Sequence, residues 1–248
     1  MKLAIVSDIH SNIEALSAVL TDIDSHNVDK IYCLGDIVGY GPNPIEVIRI
    51  AKEKFAICIM GNHDEAVVKK PLYFNKIPEN AVYWTQDLLK EFGDPSDLEY
   101  LSSLEYLHRG DGLVLSHGIM EDNMSYTTET EDLFYIFDNM EASEYICFGG
   151  HSHQPAVWVL EENELFFCEP EVGVDFKIDI EKQKFWVNVG SVGQPRDSDT
   201  RSSYVIYDTE EHIVQFHKVK YDWEITADKI KQIDGLDNFL GDRLSKGV

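Results

Sequence analysis

Five short apolar runs punctuate the first 150 residues, and each stops at polar side chains. KLAIVS (2–7) runs into Asp8 and His10, KIYCLG (30–35) into Asp36, and FAICIMG (55–61) into Asn62, His63 and Asp64. GLVLS (112–116) runs into His117, and YICFGG (145–150) into His151 and His153. Apolar runs of this length, bounded by glycine or turn residues, predict buried strands. Helical patterns lie between them. Ser11 and Glu14 have the spacing of a capping box, and Ile13, Leu16, Val19, Leu20 and Ile23 then share one face. Asn43 before Pro44 predicts an N-cap and a first-turn proline, with Ile45, Ile48, Ala51 and Phe55 continuing that helix. Helices are also expected over 79–92, 95–107 and 131–141.

Strand and helix alternate to about residue 150, which predicts a largely parallel sheet flanked by helices. In such sheets a ligand sits beyond the carboxyl ends of the strands. All five polar groups lie at those ends. After residue 155, AVWVLE, LFFCEP, VDFKIDI, KFWVNVG, SYVIYD and HIVQFHKVKY read as short strands, so a second, more antiparallel sheet is expected. No Gly/Ser-rich linker divides the chain. The expected organisation is one domain over 1–248. Its first half (1–155) carries the polar groups, 156–220 is more antiparallel, and 221–248 is a C-terminal helix with a peripheral tail. The polar stretch 121–132 follows His117 and predicts a loop beside the site.

The 248 residues, 44% hydrophobic and 27% charged, suffice for a well-buried core. No apolar run is long enough to span a membrane, and the first is too short for a signal peptide. A cytoplasmic protein is expected. Cys33, Cys58 and Cys147 lie in apolar runs and read as reduced core residues. A formal charge of −24 repels polyanions, so generic nucleic-acid binding is disfavoured. The acidity can serve solubility alone, or some carboxylates can hold cations. Only the second reading singles out residues.

His151 and His153, in GGHSHQP, would point the same way in an extended segment, but Gly and Pro also make this a plain turn. The segment alone leaves both readings open. With Asp8, His10, Asp36, Asn62 and His117 the pair completes seven nitrogen and oxygen donors without a thiolate. That set suits Mn, Fe, Co, Ni or Zn. It exceeds one ordinary site and matches two that share a carboxylate, with Asp36 as the natural bridge. Two cations roughly 3.5–4 Å apart need anions between them, and they offer positive charge where a phosphoryl oxygen develops negative charge. Phosphoester hydrolysis has those needs.

DIH (8–10), GDIVG (35–39), GNHD (61–64), SHG (116–118) and GGHSH (149–153), in this order, resemble the five-part signature of the calcineurin-like metallophosphoesterases. NVGSVGQPRD (188–197) is similar to a later segment of the small bacterial and archaeal members, the phosphodiesterase-like branch. The resemblance implies a four-layer α/β/β/α sandwich of two mixed sheets flanked by helices. It implies two divalent ions, Mn before Fe, Ni, Co or Zn. Asp8, His10 and His153 would hold the first, Asn62, His117 and His151 the second, and Asp36 would bridge. It implies His63 as proton donor to the leaving group, with Asp64 orienting that ring and raising its pKa. The implied activity is hydrolysis of a small phosphodiester by a hydroxide shared between the ions. A phosphomonoesterase, a nucleotide pyrophosphohydrolase, a protein phosphatase and a non-catalytic scaffold are the alternatives.

One departure matters. Protein phosphatases and symmetrical dinucleoside-tetraphosphate hydrolases carry an arginine in a GDxVDRG segment, where this chain has GDIVGYGP with Gly39 and Tyr40. Arg196 is the candidate substitute phosphate contact, unless it pairs with Asp197 or Asp199 and only shapes its loop. Tyr40 and Asn62 are the other candidate substrate contacts. His26, His108, His212 and His217 follow no strand-end motif and are expected to be ordinary. Trp158 and Trp186 are assigned to packing.

Overall fold

Every apolar run expected to be a strand forms one. The computed structural model describes residues 1–248. Its elements are β1 (Lys2–Val6), α1 (Ile13–Asp24), β2 (Lys30–Cys33), α2 (Pro44–Lys54), β3 (Phe55–Cys58), α3 (Asn62–Val68), α4 (Lys76–Phe92), α5 (Pro95–Ser102), β4 (Leu107–Gly110), β5 (Leu113–Ser116), α6 (Thr130–Asn139) and β6 (Ile146–Gly149). There follow β7 (Ala156–Glu161), β8 (Glu164–Cys168), β9 (Asp175–Lys177), β10 (Gln183–Asn188), β11 (Ser202–Asp208), β12 (Ile213–Val219), α7 (Trp223–Lys231), α8 (Asn238–Asp242) and a closing 3-10 turn (Arg243–Ser245).

The strands form two six-stranded sheets, ordered β3-β2-β1-β11-β12-β9 and β4-β5-β6-β10-β7-β8. In the first sheet β1, β2 and β3 are parallel, and β11 joins β1 antiparallel. In the second, β5, β6 and β10 are parallel, and β7 and β8 continue antiparallel. This corrects the expectation of one sheet per half of the chain: each sheet draws strands from both halves. Periodicity identifies a strand but not its partner. The decisive signal is in β11, buried at six consecutive positions. A strand covered on both faces belongs in the middle of a sheet, and β11 takes the place beside β1.

Alternation then builds the layers. Leu3, Ile5, Leu34, Val205 and Tyr207 of the first sheet meet Leu115, Ile146, Phe148 and Val187 of the second in one buried cluster. The intervening Ala4, Val6, Cys33 and Tyr204 pack outward on Leu16 and Val19 of α1 and Ile48 of α2. Val114, Cys147 and Trp186 pack outward on Leu133, Ile136 and Phe137 of α6. The result is the α/β/β/α sandwich.

Four local expectations change. Asn12, not Ser11, caps α1: its side chain accepts from the Ala15 N–H at 3.0 Å. Ser11 has φ +54°, outside the extended region an N-cap adopts. Phe55 opens β3 instead of closing α2, and α5 stops at Ser102, leaving 107–110 to pair with β5 as β4. The tail is not peripheral: Leu236, Leu240 and Leu244 are buried with Ala81, Ala227 and Ile230. Glu14 accepts from Thr226 Oγ1 (2.8 Å) and from Lys229 Nζ, tying α7 to α1.

Candidate metal centre

The five polar groups converge at the carboxyl ends of β1, β2, β3, β5 and β6, on loops in an uncommon conformation. Asp8 (φ 54°), His10 (49°), Asp36 (52°), His151 (65°) and His153 (61°) all lie in the left-handed region. Non-glycine residues seldom stay there unless the surroundings enforce it, at about 1–3 kcal/mol each. Backbone bonds do the enforcing. The N–H groups of Asp8 and His10 donate to the carbonyls of Gly35 (3.1 Å) and Asp36 (2.9 Å), and Gly150 N–H donates to His117 O (3.1 Å). Gly61 seals the junction, since a Cβ there would lie 2.1 Å from Asp36 N.

Two groups of acceptors result. His153 Nε2 stands 3.2 Å from Asp8 Oδ1 and 3.1 Å from His10 Nε2. His117 Nε2 stands 3.1 Å from Asn62 Oδ1. Asp36 Oδ2 lies between the groups, 3.5 Å from both His10 Nε2 and His117 Nε2. Ligand atoms of Asp36, His117 and His151 fall within 4.8 Å of one another, as do those of Asp8, His10 and His153.

The far side of each ring is already committed. His10 Nδ1 donates to Val38 O (3.1 Å), His117 Nδ1 to Leu34 O (2.7 Å) and His153 Nδ1 to Gln194 O (2.5 Å). His151 Nε2 donates to Met124 O (3.1 Å), leaving Nδ1 for the centre. Tautomers assigned from these carbonyls put bare lone pairs inward, the arrangement usual in histidines that ligate metal. Asp8 Oδ1 is buried with no hydrogen-bond partner. Facing acceptors without a donor call for a cation, and the nitrogen and oxygen donors fit a borderline divalent ion.

The titration behaviour agrees for three of the four rings. Burial lowers the pKa of His10 and His153, and brings His151 to about 3, so these rings are neutral. Burial also opposes charge on His117, but Asp36 and then Asp8 outweigh it and lift the ring to about 9. A metal ion would displace that proton.

His63 is the eighth residue of the group and carries no such second bond. Its N–H donates to Asp36 Oδ1 (2.8 Å), and its ring sits 4.3 Å from Tyr40 and 4.9 Å from both His10 and Phe74. Its Nδ1 is buried and unpartnered. Gly39 leaves room for it: at φ +92°, a Cβ would lie 2.4 Å from that nitrogen. Asp64 does not orient the ring, which corrects the sequence expectation. Its carboxylate instead accepts from the N–H groups of Val38 and Gly61, both at 3.1 Å, bracing one loop against the other. Adjacent residues at a helix start do not face the same way. Nor is His63 raised in pKa: burial lowers it to about 4, against the pull of Asp36.

A cleft of about 210 Å³ opens over the centre, lined by Asn62, His63, Tyr40 and Arg196 as expected, and by Phe74 and Tyr126 as well. Arg196 pairs with neither nearby carboxylate. Its Nη2 donates to Gln194 Oε1 (2.8 Å), while Asp197 pairs with Lys218 (2.5 Å) and Asp199 with Arg201 (2.6 Å). Tyr126, stacked on His151 at 3.9 Å, belongs to the polar stretch expected beside the site. Phe74 has no sequence signal, since it lies in a loop between α3 and α4 without a motif.

A family model described as the calcineurin-like phosphoesterase superfamily domain matches residues 1–212. An uncharacterized protein of Methanocaldococcus jannaschii is 38% identical over 253 residues, covering 99% of this chain and 98% of that one. The crystal structure of a metallophosphoesterase from Sphaerobacter thermophilus superposes with a TM-score of 0.85 at 33% identity, over 100% of this chain and 99% of that chain. A symmetrical bis(5'-nucleosyl)-tetraphosphatase of Methylobacillus flagellatus is 31% identical over 120 residues, 45% of this chain and 41% of that one.

Proposed function

The chain belongs to the calcineurin-like phosphoesterase superfamily, and on that premise we propose that it is a phosphodiesterase working with two divalent metal ions. The observation that carries this is Asp36 Oδ2, 3.5 Å from His10 Nε2 of one acceptor group and 3.5 Å from His117 Nε2 of the other. Asp8, His10 and His153 would hold one ion, Asn62, His117 and His151 the other, and Asp36 both. When bound, the ions would supply positive charge to the phosphoryl oxygens and lower the pKa of water between them.

The chain's own residues do the rest. His63 gives its proton to the departing oxygen. Its ring is neutral in the free protein, and the negative charge of an arriving phosphate favours the protonated form. Tyr40 and Phe74 wall the ring and keep water from it. Arg196 holds a phosphate oxygen. Asp64 positions the loops that carry Asp36 and Asn62. We take Mn as the ion to test first, and place the protein in the cytoplasm, where its four free cysteines stay reduced.

The test is turnover of bis(p-nitrophenyl) phosphate by metal-stripped protein titrated with Mn²⁺. Turnover that saturates at two ions per chain is the expected result. Saturated protein that cleaves p-nitrophenyl phosphate but no diester would replace this reading with a monoesterase. A second reading, nucleotide pyrophosphohydrolase, is favoured by the likeness to a protein named as a tetraphosphatase.

A further inference from the structure

Four histidine rings face the centre, and three of them are fixed by deeply buried chain. His10, His117 and His153 donate from Nδ1 to the carbonyls of Val38, Leu34 and Gln194, and both the rings and these partners are at most 2% exposed. His151 differs. It donates from Nε2, and its acceptor, Met124 O at 3.1 Å, belongs to the polar loop after β5. Met124 is half-buried, and Tyr126, two residues on, is 45% exposed.

That loop is folded by its own side chains. Asp122 accepts from the N–H groups of Met124 (2.9 Å) and Ser125 (3.1 Å) and from the Ser125 hydroxyl (2.7 Å). The chain doubles back over Gly118, where a Cβ would lie 2.5 Å from Asp122 O and 2.7 Å from Ser125 O. Asn123 Nδ2 ties the loop to Glu65 of α3 at 3.1 Å. The result aims two groups at one ring. Met124 O meets the edge of His151, and Tyr126 covers its face, with centroids 3.9 Å apart and planes 22° apart. A ring pinned only at its edge can still tilt, and a second ring against its face removes that freedom. The stack also gains when the ring ligates a cation. A divalent ion on Nδ1 draws electrons from the imidazole, and the negative face of a phenol ring favours the more positive partner.

We infer that Tyr126 is the positioning residue of His151, so that the loop over 119–126 sets the affinity of the ion held by Asn62, His117 and His151 and not that of the ion held by Asp8, His10 and His153. The inference rests on the two-ion reading and adds a difference between the two sites. Every histidine of one is fixed by buried core, whereas one histidine of the other is fixed by a surface loop.

The experiment titrates metal-stripped protein, isotopically labelled at histidine, with Zn²⁺ against a competing chelator and follows each ring by NMR. Zn²⁺ is diamagnetic, so the rings stay visible. Wild type, Tyr126→Ala, Tyr126→Phe and Tyr73→Ala are compared. Tyr73 lines the same cleft at 96% exposure and serves as the control. In Tyr126→Ala the free Zn²⁺ needed to move the His151 and His117 signals should rise roughly 10–100-fold, the usual worth of an outer partner of a ligating histidine. His10 and His153 should respond as in wild type. Tyr126→Phe keeps the stack and should stay near wild type, as should Tyr73→Ala. An equal rise for both pairs of rings, or no rise, would overturn the inference. So would a Tyr126→Phe or Tyr73→Ala protein that loses as much as Tyr126→Ala. If the wild-type His151 signal never responds to Zn²⁺, the two-ion reading fails by itself, and the metal-free spectra decide the role of Tyr126. A His151 Nε2–H signal lost to solvent exchange in Tyr126→Ala, with the His117 Nδ1–H signal kept, upholds the positioning of the ring. A His151 signal that survives the substitution would end it.

Discussion

Histidine and aspartate side chains gather in two places in this molecule. One is the centre between the sheets. The other is a rim cluster where α1 meets β12: Asp22 Oδ2 lies 3.7 Å from His26 Nε2 and 3.9 Å from His217 Nδ1. By spacing alone the two are alike, for the rim ligand atoms also fall within 4.8 Å of one another. Their surroundings differ. In the centre His10, His117, His151 and His153 are each at most 5% exposed and give one ring N–H to a backbone carbonyl. On the rim, Asp22 and His26 are 35% and 36% exposed, and His217 Nε2 is buried with no partner. Asp22 Oδ2 already accepts from the Tyr204 hydroxyl at 2.7 Å. Proximity is cheap, whereas a preset tautomer, burial and an enforced backbone make a metal site.

The comparison is broken most directly at Asp36. Asp36→Asn removes the oxygen common to both acceptor groups. Metal content should fall from two ions to at most one per chain, and turnover by roughly 10³-fold or more. The matched change, Asp22→Asn, should leave both quantities alone. A loss of metal from the rim variant, by mass spectrometry of dialysed protein, would erase the distinction.

His63 sharpens it, because this ring lies in the centre but lacks the second bond of a ligand. His63→Ala should keep two ions and lose about 10²–10⁴-fold in turnover, the usual contribution of a general acid. Loss of an ion would make His63 a ligand instead. Gly39→Ala probes the same ring indirectly. The new methyl would crowd His63 Nδ1, 2.4 Å away, and a displacement near 1 Å costs on the order of 10²-fold. Metal content should again hold at two.

The convergence of these side chains was legible in the sequence because each candidate ligand follows an apolar run within a few residues. Chain order carried the pattern, and the strands carried it to one place. Where neighbours in space are not neighbours in sequence, reading failed. The apolar alternation of β11 does not say that it pairs with β1. Asp64 adjoins His63 in the chain yet braces Val38 and Gly61. His26 and His217 follow no strand-end motif, and their assembly with Asp22 where α1 meets β12 was not foreseen.

That cluster yields the smallest effect, one of stability. Burial lowers the pKa of His217 to about 4, with the charge of His26 adding and that of Asp22 opposing. An unfolded histidine titrates near 6.5. Between those values the unfolded chain binds a proton that the folded chain does not, so stability falls as pH falls through this window. From pH 7 to pH 5 the loss from this residue should be no more than about 2 kcal/mol. Urea unfolding of metal-stripped wild type and His217→Gln at both pH values measures it. The variant should show the shallower fall with acid. Equal slopes would mean that Asp22, already bonded to Tyr204, lets His217 take its proton without loss, and the rim would then resemble the centre in tolerating a cation.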